Sequence, residues 1–178
     1  MQEKAMMGDA LAAGLTMNTA GCVDVGAPRF HYALECRDAD GNLKWADEFD
    51  NLVTTAGKTD LVDKYFKGSA YTAAWYLGLK GAGAAAAGDT LASHAGWAEV
   101  TPYTGNRPAI TFGTTSGGSN TATTVSYSIT GSATVAGAFI ASANTGTSGV
   151  LYSAGDFSAS RAVANGDTLN VTVTVSAS

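Results

Sequence analysis

The chain has 178 residues, in which ten Lys and Arg stand against fifteen Asp and Glu for a formal net charge of -5. This length supports one substantial hydrophobic core rather than two full domains. The basic residues are scattered, which excludes the basic stripe of a nucleic-acid-binding protein, and no apolar run approaches the roughly 18 residues of a membrane span.

Residues 1–28 are interpreted as an N-terminal arm, and residues 29–178 as a single β-sandwich domain. The stretch from Leu11 to Cys22 is superficially like a bacterial lipoprotein leader, but Glu3 and Asp9 interrupt the basic start that such a leader needs. We therefore expect the arm to be mobile or bound to a partner rather than to act as a targeting segment.

Residues 29–50 predict a β-hairpin. Apolar and polar side chains alternate from Arg29 onward, which is typical of a strand with one buried face; the inward side chains are Phe30, Tyr32, Leu34 and Cys36. The segment from Asp38 to Asn42 is rich in turn residues. A returning strand then runs from Leu43 to Phe49.

A short helix is predicted over residues 58–66, with Thr59 or Thr55 as its N-cap. Its charged side should face water, and its apolar stripe should pack on the core. That stripe comprises Leu61, Val62, Tyr65 and Phe66.

The remaining segments predict an all-β protein, an antiparallel, jelly-roll-like β-sandwich, because short strands alternate with turn sequences and few helices intervene. The predicted strands cover residues 73–79, 109–115, 123–130, 133–142, 149–153 and 168–176. In the last of these, alternation points Leu169, Val171, Val173 and Val175 inward and leaves an uncharged outer face. This strand is either an exposed edge that pairs with another subunit or a central strand paired on both sides.

The stretch from Pro108 to Ser178 contains only three charged residues, Asp156, Arg161 and Asp167, but 25 Ser and Thr. A typical soluble domain has about a quarter of its residues charged. A surface with so few charges favours a subunit that is covered by neighbouring subunits in an assembly.

Two short motifs resemble ligand-binding sites, but the surrounding sequence lacks the elements that such sites need. Residues 81–86 match the dinucleotide fingerprint G-x-G-x-x-A, yet no crossover helix or βαβ series follows, so we interpret residues 81–88 as a flexible loop. Asp38-x-Asp40-Gly41 resembles half of a calcium loop, but an EF-hand places its glycine sixth and a glutamate twelfth. A hairpin turn is the simpler interpretation.

Cysteine catalysis would require a thiol, an imidazole and an orienting carboxylate to converge. The candidates are Cys22, Cys36, His31, His94, Asp89 and Glu99. Strand alternation places Cys36 and His31 on opposite faces, and the same residues lack the spacing of zinc ligands. Cys22 and Cys36 could form one disulfide, but two cysteines make no framework and two reduced thiols are favoured.

Glycoside cleavage would need two carboxylates across a cleft, drawn from Asp47, Glu48 and Asp50 beside Trp45, and no pattern places them so. We therefore expect no enzymatic activity, no catalytic residues, no cofactor and no metal site. Five large aromatics are interpreted as core, with stacking on a sugar or a partner as the alternative. They are Trp45, Trp75, Tyr76, Trp97 and Phe112.

Six segments keep a characteristic order and spacing from about residue 29 to the end. They are residues 36–45 (CRDADGNLKW), 49–54 (FDNLVT), 75–79 (WYLGL) and 89–99 (DTLASHAGWAE), Tyr103 with Arg107-Pro108, and residues 137–140 (GAFI). Together they resemble a family of small virion proteins of tailed bacteriophages and prophages. The run DTLASHAGW is the most specific part of the resemblance.

The resemblance implies a jelly-roll-like β fold without catalytic residues and a structural role in the virion. Within the virion it favours a capsid decoration or cement protein on the outer capsid surface, assembled in the bacterial host cytoplasm. The implied partners are the major capsid protein and copies of the chain itself in a homodimer or homotrimer, without nucleic acid or membrane. The alternative is a tail, neck or fibre protein that binds a host-surface sugar. We expect Trp97, Arg107 and Phe139 to support the fold, and the charge-poor strands and the arm to make contacts.

Overall fold

The computed structural model describes residues 28–71 and 73–177. The predicted arm, residues 1–28, therefore lies outside the described residues apart from Pro28, and the expectations for it remain predictions.

The described residues form ten strands and one helix. In chain order these are β1 (Pro28–Arg37), β2 (Leu43–Asp50), β3 (Leu52–Val53), α1 (Thr55–Tyr65), β4 (Tyr76–Lys80), β5 (Glu99–Val100), β6 (Ser119–Thr121), β7 (Val125–Ser128), β8 (Ala133–Ala141), β9 (Leu151–Val163) and β10 (Thr168–Ala177). Two antiparallel sheets form the sandwich: the first runs β2-β1-β10, with β6 and β7 both paired to the far side of β10, and the second runs β3-β9-β8-β4-β5. The predicted all-β sandwich with one short helix is confirmed.

The core lies between the two sheets and follows the predicted alternation. In β1, Phe30, Tyr32, Leu34 and Cys36 are buried while the residues between them are not, and β2 returns beside β1 as the predicted hairpin. In β10, Leu169, Val171 and Val173 are buried. Burial of such apolar side chains is the main driving force for packing the two sheets together.

β10 is a central strand. It pairs with β1 along its whole length, from Thr168 to Ala177, and its other side pairs with β6 and β7. Of the two alternatives for this strand, the exposed edge is therefore wrong. The neighbours that cover its backbone are distant in sequence, so the strand's own pattern could not distinguish the two.

The helix begins earlier than predicted, at Thr55, and its N-cap is Thr54 rather than Thr55 or Thr59. The Thr54 hydroxyl accepts from the Gly57 amide at 3.0 Å and donates to the Leu151 carbonyl at 2.5 Å. Because β3 pairs with β9 immediately before this point, the chain leaves the sheet at Thr54 and the helix starts there.

The predicted apolar stripe of the helix is also largely wrong. Tyr65 and Phe66 are 78% and 76% exposed, and Val62 is exposed as well. The helix instead docks through its first turn, where Gly57 lies so close to β9 that an added Cβ would stand 2.3 Å from the Tyr152 carbonyl oxygen. Only Leu61 of the stripe packs against the main core.

Several strand boundaries differ from prediction for reasons of packing. β4 begins at Tyr76 rather than residue 73, and residues 109–115 form isolated bridges rather than a strand. β9 runs on to Val163, well beyond the predicted end, because its pairing with β8 extends a polar segment that carries little alternation of its own. The two- and three-residue strands β3, β5 and β6 are too short to leave a periodic pattern.

Candidate interaction surfaces

The candidate residues for cysteine catalysis that the structure describes do not converge. The Cys36 thiol points into the core, with its Sγ 3.7 Å from Asp167 Oδ2, and burial raises its pKa to about 11, so it is a protonated thiol at neutral pH. His31 lies on the outer face of β1, with Nδ1 3.1 Å from Asp50 Oδ1. Cys22 lies outside the described residues.

His94, Asp89 and Trp97 form a compact loop structure within the DTLASHAGW segment. The His94 ring stacks on Trp97 with centroids 4.0 Å apart, and its Nδ1 lies 3.0 Å from the Trp97 carbonyl oxygen. Asp89 accepts the Trp97 indole N–H at 2.8 Å. The polar groups of these residues therefore form hydrogen bonds within the segment, and the segment packs against the second sheet through Trp97.

Of the candidate carboxylates for glycoside cleavage, Asp47 lies on the opposite face of β2 from Glu48 and Asp50. Asp47 accepts from the Ser158 hydroxyl at 2.8 Å, toward β9, whereas Glu48 and Asp50 lie beside His31 on the opposite face of β2.

The half calcium loop is a hairpin turn in the structure, in which Asp38 accepts backbone N–H groups from Asp40 and Asn42 at 3.0 and 2.9 Å. Across residues 28–71 and 73–177, no group of three or more His, Cys, Asp or Glu side chains is arranged to hold a metal ion. In the same part of the chain, no helix has both the length and the apolar character needed to cross a membrane.

Trp97, Arg107 and Phe139 belong to one cluster on the second sheet. The rings of Trp97 and Phe139 lie 5.3 Å apart, and the Arg107 guanidinium lies 5.3 Å from the Phe139 ring. Arg107 also makes two hydrogen bonds of 2.7 and 2.6 Å to the Glu99 carboxylate and donates to two carbonyls of the loop after β8. A planar bidentate pair of this kind is geometrically demanding, so it fixes the loop against β5.

The three charged residues between Pro108 and Ser178 are all paired with opposite charges. Asp156 pairs with the fully buried ammonium of Lys80, which also donates to the Gly83 carbonyl at 2.6 Å. The other two pairs are Arg161 with Asp47, and Asp167 with Lys44. These charges are therefore paired within the subunit and add little net charge to its surface.

The outer face beside β10 carries only hydroxyl and amide side chains. We call it the neutral hydroxyl face, and its members are Ser119, Thr121, Thr124, Ser126, Ser128, Thr168, Asn170, Thr172, Thr174 and Ser176. On the side of β1 it ends at a charged strip formed by alternate residues of that strand, Arg29, His31, Glu35 and Arg37.

Polar groups of the neutral hydroxyl face bond to one another across the strands. The hydroxyl pairs Thr121–Thr174 and Thr124–Thr172 are 2.9 and 2.8 Å apart, and Ser126 donates to Asn170 at 2.6 Å. Burying a polar group costs free energy mainly when its hydrogen bond is lost. These three cross-strand hydrogen bonds therefore lower the desolvation cost of covering the face.

A second surface, the aromatic pocket, lies under α1 at the end of the sandwich where β1 begins and β10 ends. It encloses about 340 Å³, and residues from both sheets, the helix and its following loop line it, including Phe30, Leu61, Tyr71, Trp75, Phe112 and Tyr152. Tyr152 contacts the edges of Phe30 and Trp75, with ring centroids 5.5 and 4.9 Å apart. Tyr65, one of the lining residues, is exposed, and its ring lies 4.9 Å from that of exposed Phe66.

Sequence reasoning missed this pocket. It assigned Trp75 and Phe112 to the core, whereas both are only partly buried. The sequence nevertheless contains a cue to exposed aromatic side chains. The predicted helix around Tyr65 and Phe66 is short, and one face of such a helix cannot bury all the aromatic residues that lie in it and after it.

Comparisons with protein-family models, with curated proteins and with solved structures found no match to this chain.

Proposed function

We propose that the protein is a structural component of a tailed-phage virion, a decoration or cement protein that binds the assembled shell of major capsid protein. The observation that carries the proposal is the neutral hydroxyl face, a sheet surface of ten polar side chains with no charge among them. The six-segment resemblance supplies the kind of assembly. The partners are the major capsid protein and copies of this chain in a homodimer or homotrimer on the outer capsid surface.

The chemistry of the face suits docking onto a rigid protein shell. Each of its hydroxyl pairs already makes one hydrogen bond within the subunit, so a covering surface need not replace every lost water. A flat β surface without long charged side chains also loses little side-chain entropy on contact, since Lys, Arg and Glu lose the most.

The proposed mechanism is mass action. A protein that binds the assembled shell but not the disassembled subunits stabilises the shell by an amount set by its free concentration relative to its Kd. No covalent step, cofactor or enzymatic activity is required, and the effect opposes the outward pressure of packaged DNA.

Co-sedimentation with expanded empty capsids tests the proposal. We expect the wild-type protein to sediment with the capsids, and the Thr172→Lys variant to bind at least tenfold more weakly because it buries a charge without a partner. The matched control is Ala46→Lys, which adds the same charge to exposed β2 beyond the charged strip and should bind like wild type.

Two results would contradict the proposal: wild-type protein that stays in the supernatant, or a folded Thr172→Lys variant that binds like Ala46→Lys. Thermal unfolding of each variant shows whether it is folded. Cryo-EM of the native virion gives an independent answer, since density on the shell lattice supports the proposal and density only at the tail opposes it.

The second candidate is a tail, neck or fibre protein that binds a host-surface sugar, and the aromatic pocket favours it. Exposed Tyr65, Phe66 and Tyr71 offer ring faces of the kind that amphipathic aromatic side chains use at interfaces. Glycan binding that is lost in Tyr71→Ala but retained in Thr172→Lys, together with tail-only density, would favour this candidate over the first.

A further inference from the structure

The chain enters the domain at the rim of the aromatic pocket. Pro28, the first described residue, stands opposite Ala177 at the start of β1, and two positions later Phe30 stands opposite Val175. Phe30 and Val175 both line the pocket. Pro28, where the arm joins the domain, is therefore two residues from a residue that lines the pocket.

Large apolar side chains are exposed beside the pocket, on α1 and in the loop that follows it. Among residues 28–71 and 73–177, six large hydrophobic side chains are exposed, and four of them lie in α1 or the loop after it: Val62, Tyr65, Phe66 and Tyr71. Tyr65 and Tyr71 line the pocket. Contiguous exposed apolar surface of this kind marks a site that another group covers.

The arm contains a suitable covering segment. Residues 6–17 include Met6, Met7, Leu11, Leu15 and Met17, and only one charged residue, Asp9. Methionine is unbranched and adapts to irregular apolar and aromatic surfaces. Met17 precedes Pro28 by 11 positions, which an extended chain can span over about 36 Å, so the segment can reach the pocket.

We propose that residues 6–17 pack into the aromatic pocket of their own chain and cover Tyr65, Phe66 and Tyr71. A second copy could supply the same segment, but attachment at the rim favours the chain's own arm. A short tether gives an effective concentration in the millimolar range, far above that of a second copy in dilute solution.

A spin label on the arm tests the proposal in the full-length protein. The label is placed at Asn18→Cys in a Cys22→Ser background, where Cys36 is protected by burial and by a pKa raised to about 11. We expect the amide signals of Leu61 and Tyr71 to lose more than half of their intensity. The turn from Asp38 to Asn42, at the other end of β1, should keep its signals.

A charge-matched pair of variants shows whether apolar contacts hold the arm. Leu11→Asp with Leu15→Asp should restore the pocket signals, whereas Thr16→Asp with Thr19→Asp should leave them weakened. Signals that are unaffected by the label, or that both double variants restore equally, would overturn the proposal.

A mixed sample separates the chain's own arm from that of a second copy. Spin-labelled protein without ¹⁵N is combined with unlabelled ¹⁵N protein, and we expect no signal loss at the pocket. Loss in this sample would assign the arm to a second copy and overturn the proposal as stated. None of these measurements uses a capsid, so their outcome is independent of the virion role.

Discussion

The hydroxyl oxygens of Thr124 and Thr172 lie 2.8 Å apart on the outer face of β10, where one hydroxyl donates a hydrogen bond to the other. Hydrogen bonds of this type reduce the free-energy cost of removing polar side chains from water when another protein covers them.

The Thr124–Thr172 pair should contribute measurably to stability. Cross-strand pairs contribute about 0.2–1 kcal/mol, so a double-mutant cycle of Thr124→Ala and Thr172→Ala should show a coupling energy in that range by urea denaturation. The comparison cycle uses Thr104 and Thr130, whose hydroxyls are 3.5 Å apart, and should show almost none. Equal coupling in the two cycles would mean that the hydroxyl pairing has no energetic role.

Asp156→Ala should destabilise the protein more than Lys80→Met. Removing Asp156 leaves the fully buried Lys80 ammonium without its counter-charge, which typically costs about 3–5 kcal/mol. Removing Lys80 leaves a carboxylate that already reaches solvent and can be hydrated.

The double variant Lys80→Met with Asp156→Ala should recover much of the stability lost in Asp156→Ala, because it leaves no charge without a partner. The free energy of unfolding in urea measures all three. The reverse order of the two single variants would contradict the proposed asymmetry.

Acidification should act through Asp167. Burial raises the pKa of this carboxyl, but the hydrogen bond from Lys44 at 2.5 Å and the Ala164 amide at 2.8 Å outweigh burial, so the pKa in the folded protein lies below its usual value. A carboxyl with a lowered folded pKa stabilises the protein above its unfolded pKa of about 3.9. That stability is lost as the pH falls through the folded pKa.

Wild-type protein should therefore lose more stability below about pH 4 than Asp167→Asn, although the variant is less stable at pH 7. Urea midpoints between pH 7 and pH 2.5 measure the difference. Asp63→Asn, which removes an exposed carboxylate 3.5 Å from Lys67, controls for the change in net charge. Parallel pH profiles for wild type and Asp167→Asn would contradict the expected role.

Gly57→Ala should destabilise the protein although alanine is the better helix former. Gly is about 1 kcal/mol less favourable than Ala inside a helix, but a Cβ here would stand 2.3 Å from the Tyr152 carbonyl oxygen. Overpacking of this kind typically costs about 1–3 kcal/mol. Gly131→Ala, where an added Cβ meets nothing within 4 Å, is the matched control; a stabilised Gly57→Ala protein would show that α1 can move away from β9.

The sequence predicted the parts of the fold that depend on local periodicity. In β1 and β10, every second side chain from Phe30 to Cys36 and from Leu169 to Val173 is buried, as alternation indicated. The turn from Asp38 to Asn42 was also predictable from the sequence, because its side-chain hydrogen bonds are made within the turn itself.

The helix and the pocket depend on contacts that the sequence does not display. Thr54 rather than Thr55 or Thr59 caps α1 because its hydroxyl bonds to β9, 97 positions further along the chain. The same docking leaves Tyr65 and Phe66 exposed, against the prediction from the apolar stripe.

The charge-poor composition after Pro108 was determined by the sequence alone, but its meaning depended on the tertiary structure. Part of that stretch fills the core, and its three charges are neutralised by partners elsewhere in the subunit. The remainder forms the neutral hydroxyl face, which exists only because β6 and β7 pair with β10. Strand alternation is a local property of the chain, whereas the choice of neighbouring strands is made by non-local pairing and burial.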